Sequence, residues 1–95
     1  MFIVSLTYTS GLEAVDALLD AHTAYLKEEY AQGHFIASGR KIPRTGGIIF
    51  AKADSREALE AILARDPFRR AGIADYDVIE FTPGMVADGL EKLKD

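Results

Sequence analysis

The chain has two histidines, His22 and His34, and histidine is the side chain that exchanges protons most readily near neutral pH. His22 lies among Leu18, Leu19 and Leu26, where apolar residues recur at helical spacing, so its ring belongs to an otherwise apolar face. Two readings fit it there. It is a core histidine bonded to a nearby carbonyl, or a general base and acid held in a dry cleft and governed by a partner. Asp66 is the candidate partner. Placed before Pro67, it suits the N-cap of a short helical turn, a role worth about 1 kcal/mol, and that alone explains an Asp before Pro. In the functional reading its carboxylate reaches His22 and orients the imidazole. Spacing permits the pair without requiring it. His22 and His34 are twelve residues apart, with no HxH or HxxxH spacing and no cysteine, so no metal site is expected.

A second cluster runs from Ser38 through Gly39, Arg40, Lys41 and Arg44 to Gly46 and Gly47. Cationic side chains beside glycine amides suit an anion such as a carboxylate or phenolate. The alternative is a hairpin whose glycines take positive φ and whose cations are solvated. The length of the segment favours binding. It is not a phosphate-binding GxxxxGK[ST] loop, and Ser38 is not in a GxSxG elbow. Arg65, Arg69 and Arg70 around Asp66-Pro67-Phe68 read as solvated surface.

These groups need elements to position them. Phe2, Val4, Leu6 and Tyr8 alternate with Ile3, Ser5 and Thr7 as in a strand, and Ser10-Gly11 breaks it. One helix is expected from Leu12 to about Gln32, with Leu12, Val15, Leu18, Leu19, His22, Leu26 and Tyr30 on one face and Gly33 at its end. His34–Ser38 predicts a second strand, residues 39–47 a long turn, and 48–51 a third strand. Ser55 caps a helix to about Ala64 with Ala58, Leu59, Ile62 and Leu63 inward; Gly72 ends the turn begun at Asp66. Tyr76–Phe81 predicts a fourth strand, and Met85–Asp95 a weak helix or frayed tail. The order β-α-β-β-α-β predicts an α+β, ferredoxin-like fold with two helices on one face of a four-stranded antiparallel sheet.

Strands three and four are apolar on both faces, so something covers the far side of the sheet, and a second copy of the chain is the simplest cover. The 95 residues predict one domain with its core in 2–83 and a tail over 84–95. A net charge of −4 and a third strand reading GGIIFAKA, without stacking aromatics, argue against nucleic acid. No apolar run approaches the roughly 20 residues of a membrane span. The first residues carry no early Lys or Arg, so no signal peptide and a cytoplasmic location are expected.

FIVSLTY at the start, HTAYL around His22, GHFIASG at 33–39, PRTGGIIFA at 43–51 and ARDPFRRAGIADYDVIEFTP at 64–83 together resemble the YCII-related domain (YciI-like) family. The resemblance implies a ferredoxin-like homodimer of the dimeric α+β barrel class, with two sheets face to face. It also implies a site centred on His22 and Asp66. The wider class includes small lyases, isomerases and monooxygenases of aromatic breakdown, several needing no metal or organic cofactor. One departure stands at Arg40, where proline commonly follows the Ser-Gly pair, and it bears on the shape of the pocket loop.

The expectation is therefore a cofactor-independent enzyme acting by elimination or isomerisation on a small organic acid or hydroxylated ring compound. His22 serves as base then acid, and Asp66 holds its tautomer and stabilises the imidazolium. Ser38, Gly39, Arg40, Arg44 and the Gly46-Gly47 amides are candidate contacts for an anionic ligand, with Tyr8 and Phe68 as pocket walls. The rival is a non-catalytic ligand-binding or accessory dimer in which His22 and Asp66 serve packing and capping.

Overall fold

The alternation of the first residues becomes strand β1 (Phe2–Tyr8), with Phe2, Val4 and Leu6 buried and Ile3 and Ser5 on the other face. A computed structural model describes residues 1–94. After β1 come α1 (Leu12–Ala17), α2 (Leu19–Ala31), β2 (Phe35–Arg40), β3 (Gly46–Ala51), α3 (Arg56–Leu63), α4 (Pro67–Arg70) and β4 (Ala74–Glu80). The strands form one antiparallel sheet in the order β2-β3-β1-β4. This is the α+β, ferredoxin-like arrangement. The inward residues of β1 share their core with Val15, Tyr25, Leu59, Ile62, Leu63 and Phe68 from the helices.

Several elements differ from expectation. The first helix is two: at Leu18 (φ −106°, ψ 2°) the chain makes a tighter turn, its amide donating to the Val15 carbonyl at 3.1 Å. No glycine or proline marks this break. The inward seam also runs differently, because Val15, Tyr25 and Glu29 are buried while Leu12, Leu19 and Tyr30 are 44, 39 and 39% exposed. β2 and β3 extend into the predicted turn, shortening it to residues 41–45. Gly39, Gly46 and Gly47 are thus strand residues without positive φ; Gly33 and Gly72, which end helical segments, do have it, at 80° and 69°. Gly46 has another reason to lack a side chain. A Cβ there would lie 1.8 Å from the Leu6 carbonyl oxygen. β4 begins two residues earlier than predicted and ends at Glu80.

The register places Ile3, Ile48, Phe50 and Ile79 on the face turned away from the helices, with Ile79 60% exposed. In the tail, a short 3₁₀ helix spans Glu91–Lys94; Asp95, also assigned to the tail, lies outside the described residues.

Candidate active site

Three packed elements bring His22 and Asp66 together. α2 carries His22 towards the α3–α4 joint, where the chain turns at Asp66 because Pro67 starts a new helix with no amide to offer. Asp66 is fully buried, and His22 Nδ1 donates to its Oδ1 at 2.8 Å. The same oxygen accepts the Phe68 amide at 3.0 Å, and Oδ2 accepts the Tyr76 hydroxyl at 2.5 Å. Asp66 is therefore both helix cap and histidine partner; the two sequence readings describe one carboxylate. Three donors offset the cost of burying it.

With Nδ1 committed as a donor, the neutral imidazole presents Nε2 as an acceptor. Nε2 has no protein partner among the described residues, and His22 opens onto a cavity of about 380 Å³ between α2 and the sheet. Phe68 stacks on the imidazole, centroids 3.9 Å apart and planes 10° from parallel, and Tyr8 meets Phe68 edge-on at 5.9 Å. The ring is thus fixed by a hydrogen bond at one edge and by a flat contact on one face.

Tyr8, His22, Ser38, Gly39, Arg40, Arg44, Gly46, Gly47 and Phe68 all line this cavity, with Leu6, Leu19 and Ile49 adding apolar wall. Asp66 does not line it and sits behind His22. Within the lining, the polar groups differ in what they have to offer. Arg44 donates from Nη2 to Asp16 Oδ1 at 2.5 Å, and this bond holds its guanidinium above the usual arginine range. Its Nε is buried with no partner. Gly46 and Gly47 lie in a strand flanked on both sides, where amides serve the ladder and not a turn. Arg40 makes no ion pair among the described residues, and Lys41 donates to Thr7 Oγ1 at 3.1 Å. The Ser38 hydroxyl is 2.7 Å from that of Tyr30. Arg40 is accordingly the cavity cation with no carboxylate already on it.

Tyr76, Tyr25, Glu29 and Asp16 escape a reading of the sequence. Burial and then the Asp66 charge push the Tyr76 phenol far above its ordinary value, and burial does the same to Tyr25, whose hydroxyl donates to the Ile62 carbonyl at 2.8 Å. Tyr76 carried one usable signal: it alternates in phase with Val78 on the inward face of a strand, where a phenol needs a partner.

The family model for the YCII-related domain matches residues 1–82, spanning every strand and helix that builds the cavity. The chain belongs to the YCII-related domain family. No curated protein matches it. Among solved structures, this YCII-related domain is similar to 5-chloro-2-hydroxyhydroquinone dehydrochlorinase (TftG) from Burkholderia phenoliruptrix AC1100, solved in complex with 2,5-dihydroxybenzoquinone. The two share 22% identity and a TM-score of 0.76, over 87% of this chain and 94% of the other. The likeness shows the shared fold. Among the described residues, no helix is long and apolar enough to cross a membrane, and no cluster of three or more His, Cys, Asp or Glu could hold a metal ion.

Proposed function

We propose that this YCII-related domain is a small-molecule enzyme whose His22–Asp66 pair performs acid–base chemistry, elimination or isomerisation, on a small hydroxylated ring compound or organic acid. The observation that carries the reading is His22 lining the cavity with its Nδ1 held by a buried carboxylate, which leaves Nε2 as the ring nitrogen free to exchange a proton. In an elimination, Nε2 takes a proton from the substrate, the electron pair left behind forms the new π bond, and the leaving group departs with its own pair. Asp66 stabilises the imidazolium formed, which returns its proton to product or solvent. The step needs no oxidant or reductant. Arg40 faces the substrate's anionic oxygen, while Tyr8 and Phe68 flank a ring. A volume of about 380 Å³ falls at the small end of ligand sites, commensurate with one ring and its substituents. The dehydrochlorinase of like fold supports this substrate class by its name and bound quinone.

The reading includes a homodimer. A second copy covers the apolar far face of the sheet, which Ile3, Ile48, Phe50 and Ile79 supply.

The test is chloride release from 5-chloro-2-hydroxyhydroquinone and absorbance titration with 2,5-dihydroxybenzoquinone, in wild type and in His22→Ala. Turnover that falls at least about a hundredfold in His22→Ala supports the assignment. Equal turnover in the two proteins removes His22 from the chemistry. Binding without turnover, kept in His22→Leu, favours the rival reading of a ligand-binding domain, to which the capping role of Asp66 already lends itself.

A further inference from the structure

Arg65 and Asp66 are neighbours in sequence, yet their side chains engage α2 at two separate levels. Asp66 takes His22 Nδ1, while Arg65 Nη2 donates to both oxygens of Glu29, at 2.6 and 2.8 Å. His22 and Glu29 are seven residues apart, which puts them on one helix face about 10 Å from each other. Between them Tyr25 reaches the Ile62 carbonyl. The last turn of α3 and the α3–α4 joint are thereby pinned to α2 by three polar rungs, one on Ile62 of α3 and two on the joint.

Glu29 is the unexpected member, a carboxylate only 1% exposed that does not line the cavity. Besides Arg65 it accepts from His34 Nδ1 at 3.2 Å. A buried carboxylate is costly unless paired, but its partner Arg65 is 55% exposed, and an ion pair open to solvent on one side contributes little net stability. General stability therefore gives little reason for this pair. Its geometry does, because the residue it anchors is joined by one peptide bond to the carboxylate that holds His22.

We infer that Arg65, clamped by Glu29, is a positioning residue for the His22–Asp66 pair: it fixes the joint against α2 and so sets the hydrogen bond at His22 Nδ1. The inference builds on the acid–base reading of His22, but its test does not depend on a substrate.

The readout is the His22 imidazole Nδ1 proton, followed by ¹H–¹⁵N NMR in wild type, Arg65→Met, Arg65→Lys and Glu29→Leu/Arg65→Met. The double variant removes both charges, so it leaves no buried carboxylate unpaired. Wild type should show a protected Nδ1 proton. In Arg65→Met and in the folded double variant, its exchange should accelerate at least about tenfold while the amides of β1 and β3 keep their protection. Arg65→Lys should restore part of the protection. Unchanged exchange at Nδ1 in the double variant overturns the inference. So does loss of folding in both Met variants, because the pair then serves the whole fold, and so does an unprotected Nδ1 proton in wild type. If the Nδ1 results come out as expected but wild type neither binds 2,5-dihydroxybenzoquinone nor releases chloride, the functional reading fails while the positioning role stands.

Discussion

The imidazole of His22 lies flat against Phe68, whose own amide donates to the carboxylate that holds His22. The three residues close a circuit: stack, cap and hydrogen bond each constrain the same ring. Phe68 is 1% exposed, so truncating it to Ala would cost about 3–5 kcal/mol. Phe68→Leu keeps most of the buried volume and loses the stack, so it should fold with a loss of about 1–2 kcal/mol in urea unfolding. A Phe68→Leu protein as stable as wild type would show that the stack contributes nothing.

Asp66→Asn separates charge from geometry. The Phe68 amide can only donate, so it keeps the Asn oxygen in the Oδ1 position, and His22 Nδ1 can still donate there. The new amide group faces Tyr76, whose hydroxyl turns from donor to acceptor. Helix capping by Asn is about as good as by Asp, so stability should change by no more than about 1 kcal/mol. The ¹⁵N spectrum should keep the Nδ1–H tautomer while turnover falls at least about tenfold for want of the counter-charge. Full turnover would remove the carboxylate's charge from the mechanism.

Tyr76→Phe takes one of three donors from a buried carboxylate. The loss should be about 1.5–3 kcal/mol, the range for hydrogen bonds to charged groups, read by denaturant unfolding. No change would mean that a water replaces the phenol.

At alkaline pH both Tyr25 and Tyr76 resist ionisation in the fold, chiefly because they are buried, and next because the Asp66 charge disfavours a phenolate nearby. In the unfolded chain they ionise near about pH 10. Their contribution is therefore complete below that value and declines as pH rises beyond it, since the unfolded state releases protons that the folded state keeps. Tyrosinate absorbance from these two residues should appear together with loss of circular dichroism. In Tyr25→Phe/Tyr76→Phe the unfolding-linked part of that signal should vanish. If it persists there, the protected phenols are others.

The homodimer predicts a sedimenting mass of two chains at micromolar concentration. Ile79→Lys, on the outward face and 60% exposed in one chain, should halve that mass without changing secondary structure. A wild-type mass of one chain would contradict the covered sheet.

Much of the fold was legible because its elements alternate or recur cleanly: β1 reads as a strand from Phe2 to Tyr8, and Ser55 caps α3 with a hydrogen bond from the Ala58 amide. His22 and Asp66 stood out because one was polar on an apolar face and the other preceded a proline. Sequence could not tell capping from partnering at Asp66, since each uses the same oxygen atom. Glu29 was missed because a buried glutamate looks like a surface one until Arg65 is seen across the joint. The break at Leu18 was missed because local sequence does not mark it, and the loop was overestimated because Gly46 suggests a turn where it instead answers to the backbone of Leu6.

That close approach limits how the chamber can be reshaped. At Gly46 the chamber wall is bare main chain, and a single added carbon would collide with a neighbouring strand. Mutation cannot recontour this stretch without rebuilding the sheet. Any change in what the chamber of this chain accepts has to come from lining residues that carry a side chain, such as Leu19, Thr23, Arg40 and Arg44, while the stretch at Gly46 stays as the backbone leaves it.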